Sequence, residues 1–398
     1  TGQRVAIMGD LPGPKIRIGR LAEEPVELVR SQRFVLQTAD VAGDSTRASL
    51  SFGGLPNAVE PGDEIYVNDG FIQLRVVEVK GDEVHCLVKV GGQLRSFKGV
   101  NFPGIDLGIS AFTDRDREFL SFAADQKLDA ISQSFVQGPD DIEAVRSAAR
   151  ALDYRPFIIA KIERSQALGN LAGILAVTDG IMVARGDLGV EIPIEEIAAT
   201  QKHMIRQANL CGRPVITATH MLESMTVHSR PTRAEVTDVA NAILDGTDCV
   251  MLSGETAMGG FPAEAVATMA RIAQVTEPEV SIRDRSQLLK ASQSSGELGP
   301  KDLISLSICL TVEATKPVAV VTPTLSGSTA RRLARFRLQE WIVAVSPNES
   351  TCQALQFSYG VDAVHELQRP ESWQAYTREW LAEHGITAGL AILTHGSG

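Results

Sequence analysis

The stretch Gly180-Ile181-Met182-Val183-Ala184-Arg185-Gly186-Asp187-Leu188-Gly189 runs from an apolar strand into charged residues and glycines that read as a turn entering a helix. The same passage recurs on both sides of it. Upstream, 130–136 and 157–163 are strand-like; helices are expected over 112–127, with Thr113 as N-cap, and again from Pro139. Downstream, 214–219 and 249–253 repeat the pattern. Short β-branched runs alternating with helical stretches predict βα units and a parallel sheet. Polar residues stand at the carboxyl end of nearly every strand: Asp10, Ser132 and Ser134, Lys161 and Glu163, Arg185 and Asp187, Thr219, Ser253 and Glu255. That placement favours a closed (β/α)8 barrel, which carries its chemistry on this rim. With the apolar run at 5–8 counted as the first strand, six units are present. About two more, roughly 60–70 residues, are expected before Thr1.

Between the first strand and the second the texture changes. Short β-branched runs alternate with Pro61-Gly62-Asp63, Asn68-Asp69-Gly70, Lys80-Gly81-Asp82 and Gly91-Gly92, the signature of a small all-β module inserted into the barrel. Periodicity loosens after 276, and 283–299 is polar and linker-like. A helix over 302–315 and strands at 318–321, 341–345 and 388–393 then suggest a separate α/β domain. The expected organisation is a barrel from 1–12 and 99–278, an inserted β domain over 13–98 and a C-terminal α/β domain over 279–398. The chain stops at His395-Gly396-Ser397-Gly398, a turn-like or phosphate-loop-like end.

Composition narrows the function classes. Hydrophobic residues are 44% and charged residues 22% of the 398, which is globular rather than disordered usage. A net charge of −11 makes general binding to nucleic acid or to an anionic membrane a poor expectation, though a local basic site can still hold a phosphate. No apolar run reaches the ~18 residues of a membrane span. The five cysteines include no CxxC pair, so neither a zinc site nor a disulfide framework is indicated, and a reduced, cytoplasmic setting is expected.

Lys161 and Glu163 are two apart on one strand and share a face. They form either an exposed ion pair or part of a site. Asp187, at the next strand end, adds a second carboxylate, and two such oxygens suit Mg²⁺ or Mn²⁺. A lysine beside them suits a transferring phosphoryl group. Gly186 and Gly189 are turn formers or free amides for an anion. Thr219 is a strand former, a cap or a ligand; Ser253-Gly254-Glu255-Thr256 is a capping segment or a proton-delivery site. In the last domain Thr322-Pro323-Thr324-Leu325-Ser326-Gly327-Ser328-Thr329 precedes Arg331, Arg332, Arg335 and Arg337. This is either a capped helix with a solvated basic face or a phosphate site.

Longer blocks carry a resemblance. The stretch from Ile181 to Glu191, Ile216-Thr217-Ala218-Thr219-His220-Met221-Leu222-Glu223-Ser224-Met225, Arg230-Pro231-Thr232-Arg233-Ala234-Glu235 and Met251-Leu252-Ser253-Gly254-Glu255-Thr256-Ala257 closely resemble the pyruvate kinase family. The resemblance implies a barrel with an inserted β-barrel lid and a regulatory C-terminal domain, and phosphoryl transfer from phosphoenolpyruvate to ADP, giving pyruvate and ATP. It implies that Lys161 steadies the phosphoryl group and that Glu163 and Asp187 ligate the metal. It further implies that Gly186, Asp187 and Thr219 seat the substrate carboxylate, and that Arg17 and Lys98 contact the nucleotide phosphates. Ser253 and Glu255 would serve proton delivery, and Thr324, Ser326, Gly327, Ser328 and Thr329 a phosphorylated effector. A homotetramer is usual in the family. The family's early Asn-Phe-Ser-His-Gly segment is not in this chain. Lys15 stands where potassium-dependent members carry Glu, and Leu11 where they carry Thr, so an ammonium beside Asp10 implies no K⁺ requirement. His220 replaces a usual Gln and Met258 a common Lys. The alternatives are a catalytically weak homologue that binds a phosphometabolite, and a metal-dependent lyase of enolpyruvate chemistry.

Overall fold

The computed structural model describes residues 4–280 and 299–394; the expected linker, apart from Gly299, and the last four residues lie outside the described residues. Six parallel strands form one sheet in chain order: Met8–Leu11, Ala130–Gln133, Phe157–Ile162, Gly180–Ala184, Val215–Ala218 and Cys249–Val250. Alternate residues of these strands part into two cores. Ile131, Ile158, Ile181 and Val183 pack with Leu120, Val145 and Ile174 of the surrounding helices, whereas Ala130, Ile159, Met182 and Ile216 pack together on the other face. A period of two dictates that division, and burial on both faces is why the strands read as continuous apolar runs.

The first strand is displaced from the apolar run at 5–8. Pairing runs from Met8 opposite Ala130 to Leu11 opposite Gln133, and Val5 and Ile7 are exposed. A ladder forms where a neighbouring strand offers hydrogen bonds, and hydrophobicity alone does not locate it. Thr113 caps the helix Asp114–Asp125 as expected, in a reciprocal box with Asp116. The fully buried Asp116 also accepts the amide of Gly13, 3.1 Å away, and so ties the turn at the lid entrance to the barrel.

The inserted domain is a six-stranded sheet, mostly antiparallel, in the order Arg47–Ser49, Arg33–Gln37, Glu83–Val90, Ile72–Lys80, Glu64–Val67, Val100–Asn101, with a separate pair Val26–Leu28 and Gly92–Leu94. It has its own core, including Phe34, Leu36, Ile65 and Leu74. The C-terminal domain is a four-stranded parallel sheet in the order Val361–His365, Ile342–Ser346, Ala319–Pro323, Ala391–Leu393. Its helices include Pro300–Thr315, Ser328–Ala334 and Trp373–Glu383. The strand Val361–His365 has no counterpart in the sequence reading: Asp362 interrupts its apolar run, and pairing to Ile342–Ser346 supplies what the pattern lacks. The architecture is thus a parallel barrel wall, an inserted β domain and an α/β domain. No helix among the described residues is long and apolar enough to cross a membrane.

Candidate active site

The carboxyl ends of the first three barrel strands converge on one ammonium. Lys161 Nζ lies 2.7 Å from Ser134 Oγ, 3.0 Å from Glu163 Oε1 and 3.3 Å from Asp10 Oδ1. Asp10 in turn accepts a 2.5 Å hydrogen bond from Ser132. Burial opposes the charge of Lys161, but Glu163 and Asp10 outweigh it and hold the ammonium above its ordinary value. It is therefore a fixed cation at neutral pH.

Glu163 is buried, and its second oxygen accepts the Phe135 amide at 2.8 Å. Phe135 presents that amide from a left-handed backbone, φ 58°, unusual for a bulky residue. Burial pushes the Glu163 carboxyl above its usual range, Lys161 opposes this, and the charge of Asp187 adds to it. Asp187 sits in the first turn of the helix Arg185–Glu191, with Lys15 Nζ 3.8 Å away. Among the described residues no group of three or more His, Cys, Asp and Glu side chains is placed to hold a metal ion by itself. The donor set here is a pair of carboxylates near enough to repel one another. Two such oxygens, leaving positions for water and phosphate oxygens, fit a hard divalent ion.

The adjoining stretch of the rim is built on strained backbone. Thr219 and His220 both have positive φ, 67° and 53°. The Thr219 hydroxyl accepts the Gly186 amide at 2.8 Å, so the two residues expected to seat a carboxylate do meet. Arg185 fixes them: its Nη2 donates to the Thr219 carbonyl at 2.6 Å, and its Nη1 pairs with Asp238 at 2.6 Å. In the sequence reading Arg185 is only one of the polar strand ends, with no partner, and Asp238 has no role. Glu255 is fully buried, with its oxygens on the amides of Leu222 (2.9 Å) and Ser253 (2.7 Å). The Ser253 hydroxyl is buried without a hydrogen-bond partner.

Arg17 and Lys98 come together where the chain enters and leaves the lid. Arg17 bridges to Gly99 and donates to the Phe97 carbonyl at 2.9 Å, and the Ile18 amide reaches the Lys98 carbonyl at 2.9 Å. Beside them a cleft of about 570 Å³ is lined by Lys15, Ser51, Phe52, Ser110 and Thr113 among others. Lys15 and Asp10 take different partners: Asp187 for the first, Lys161 for the second. A link that the sequence reading lacks is Arg164, which donates to the Ile105 carbonyl at 3.0 Å and lies 3.4 Å from Glu191. Burial pushes the Glu191 carboxyl up to about 7, against the pull of Arg164.

In the C-terminal domain the Thr324 hydroxyl accepts the Gly327 amide at 2.9 Å, and Arg331 donates to the Ser326 carbonyl at 2.7 Å. Ser328 begins the following helix and Thr329 is its next residue. The other three arginines turn away from this loop. Arg332 and Arg335 pair with Asp302, and Arg337 with Asp248 on the barrel.

Comparison with known proteins gives one answer. Residues 1–266 match the family described as "Pyruvate kinase, barrel domain", and 302–397 match "Pyruvate kinase, alpha/beta domain". The chain is 47% identical over 360 residues to a pyruvate kinase of Thermococcus litoralis, covering 90% of this chain and 76% of that protein. It is 41% identical over 404 residues to a pyruvate kinase of Thermotoga maritima, covering 98% and 84%. A crystal structure of a pyruvate kinase from Cryptosporidium parvum superposes with a TM-score of 0.90 at 35% identity, covering 99% of this chain and 82% of that one.

Proposed function

The chain belongs to the pyruvate kinase family, and from that premise we propose how its residues divide the family's reaction, in which the phosphoryl group of phosphoenolpyruvate passes to ADP to leave pyruvate and ATP. It is an enzyme, a phosphotransferase of glycolysis.

The observation that carries the assignment is the meeting of Lys161 with Asp10, Ser134 and Glu163 beside Asp187. Phosphoryl transfer spreads charge over the equatorial oxygens and asks for fixed cations in place of a covalent partner. Lys161, held by three strand ends, supplies one without reorganising. Glu163 and Asp187 would hold Mg²⁺ or Mn²⁺, which when bound neutralises charge on the phosphoryl oxygens. The Gly186 and Asp187 amides and the Thr219 hydroxyl orient the substrate carboxylate. Arg17 and Lys98, at the lid edges, meet the nucleotide phosphates. Ser253, with its free hydroxyl, serves proton delivery to the enolate carbon, and Glu255 holds Ser253 and Leu222 in place for it. Asp10 and Lys15, the two residues of the expected monovalent-cation pocket, are each met by an opposite charge, Lys161 and Asp187, so no K⁺ is required.

Residues 1–12 and 99–278 make the catalytic domain, except that Val100–Asn101 completes the sheet of the lid, 13–98; 279–398 make a regulatory domain whose loop with Thr324, Ser326, Gly327, Ser328 and Thr329 takes a phosphorylated effector. The working unit is a homotetramer. The test is a coupled assay with phosphoenolpyruvate and ADP. Lys161→Met is expected to lower kcat by about 10²–10³-fold with the fold intact by circular dichroism. Undiminished turnover in that variant would overturn the assignment.

A further inference from the structure

The lower face of the barrel, opposite the rim, meets the C-terminal domain across a crowd of arginines. Arg146, Arg213, Arg331, Arg332 and Arg335 gather there in a chain whose net charge is −11. Among the described residues three carboxylates stand beside them: Asp179, 3.1 Å from Arg146, Asp302, shared by Arg332 and Arg335 at 3.5 and 3.0 Å, and Asp248, which is taken by a further arginine, Arg337. Arg213 and Arg331 find carbonyls instead. Arg213 donates to Leu175 and Ala176 at 3.1 and 3.2 Å, and Arg331 to Ser326. Burial lowers the proton affinity of both guanidiniums, Asp179 opposes this, and neighbouring arginines add to it. Guanidiniums keep their protons regardless, so the charge gathered here is net positive despite Asp179 and Asp302.

A half-open gap lies between these groups, lined by Asn209, Arg213, Asp248, Arg331, Arg335 and Ser358 among others. Two residues of its wall each carry a buried donor without a hydrogen-bond partner: Ser358, only 8% exposed, through Oγ, and Arg335, with a side chain only 7% exposed, through Nε. A buried donor without a partner is destabilising, and an acceptor reaching it would remove that cost. Asp248 does not fill that need. Its oxygens already take the Arg337 guanidinium and the amides of Val215 and Tyr359. The gap has room for about one water-sized group, the size of a single oxyanion oxygen.

We propose that this seam binds a phosphate group, one oxygen seated between Arg213, Arg335 and Ser358 and the rest facing the open mouth toward Arg331. Guanidinium forks suit that geometry. The site is separate from the catalytic rim and joins the barrel to the C-terminal domain. Its ligand is inorganic phosphate or the terminal phosphate of an ester.

Thermal melting of the whole protein in inorganic phosphate, against chloride at equal ionic strength, tests this. Phosphate is expected to raise the melting temperature beyond chloride. Arg213→Gln should raise the half-saturating concentration about tenfold, the loss of one charge-assisted contact. Lys161→Met, which alters the rim, should keep the wild-type response. If Arg213→Gln does not fold, Ser358→Ala should weaken the response in the same direction. Methyl phosphate separates the sources: a response equal to that of inorganic phosphate assigns an ester, and a weaker one the free ion. No stabilisation beyond chloride would overturn the proposal. So would a response kept in both Arg213→Gln and Ser358→Ala, which would place the phosphate at the catalytic rim or at the Thr324–Thr329 loop.

Discussion

Arg185 shows how one side chain can hold a site that it does not itself form. Its guanidinium braces the left-handed Thr219 through the carbonyls of Ala218 and of Thr219 itself and is held by Asp238. Lysine would keep the charge and lose the fork. Arg185→Lys is therefore expected to lower kcat/KM about 10–100-fold through misplacement of Thr219 and Gly186, with circular dichroism unchanged. Steady-state kinetics at varied phosphoenolpyruvate would read it, and an unaltered kcat/KM would show that Thr219 needs no brace. Lys15 carries a second prediction at this scale. Its ammonium stands 3.8 Å from Asp187, so a sodium-only assay should reach full rate and added K⁺ should change nothing. Strong activation by K⁺ would show that Lys15 does not replace the ion.

At the scale of elements, the helix Arg233–Asp245 links a cap to the rim. Thr232 caps it reciprocally with Glu235, and Glu235 also accepts the amide and hydroxyl of Ser224 at 2.7 and 2.5 Å. One turn further along, Asp238 grips Arg185. Burial of Glu235 works against its charge, but the hydrogen bonds from Ser224 and Thr232 prevail and hold its carboxyl below the ordinary 4.5. The folded form thus binds this proton more weakly than the unfolded chain does. The stabilisation is complete above pH 4.5 and disappears as pH falls through the depressed folded value. Melting of Glu235→Gln against wild type should show a gap near neutral pH that narrows as the solution is acidified below 4.5; a gap that stays constant would mean that the carboxylate charge is not what caps the helix. The sequence announces this element well: Thr232 and Glu235 stand three apart before an apolar run. It announces the first barrel strand poorly, because an edge segment is located by its partner.

Across the whole molecule, the barrel and the C-terminal domain are locked by Arg337. Its two terminal nitrogens reach Asp248 at 2.9 and 3.0 Å, and it also bonds Asn209 and the Gly246 carbonyl. Both side chains are almost fully buried. Arg337→Met leaves Asp248 charged and without its guanidinium, which typically costs about 3–5 kcal/mol. Denaturant unfolding should register that loss, and a change below about 1 kcal/mol would mean that the seam is held by its apolar contacts, such as the Phe157–Phe357 stack.

Local spacing was enough to place the five barrel strands after the first, the inserted β domain and the shared face of Lys161 and Glu163, because side-chain direction follows from a period of two within one strand. The polar strand ends were legible for the same reason. Which groups meet across the rim was not. Asp10 joins Lys161 while Lys15 joins Asp187, and Arg332, Arg335 and Arg337 leave the Thr324–Thr329 loop for Asp302 and Asp248. The positive φ of Phe135 and Thr219 has no signal in residue type either. Partners distant in the chain are chosen by burial, where an unpaired charge is costly, and only packing of the complete fold decides what is buried.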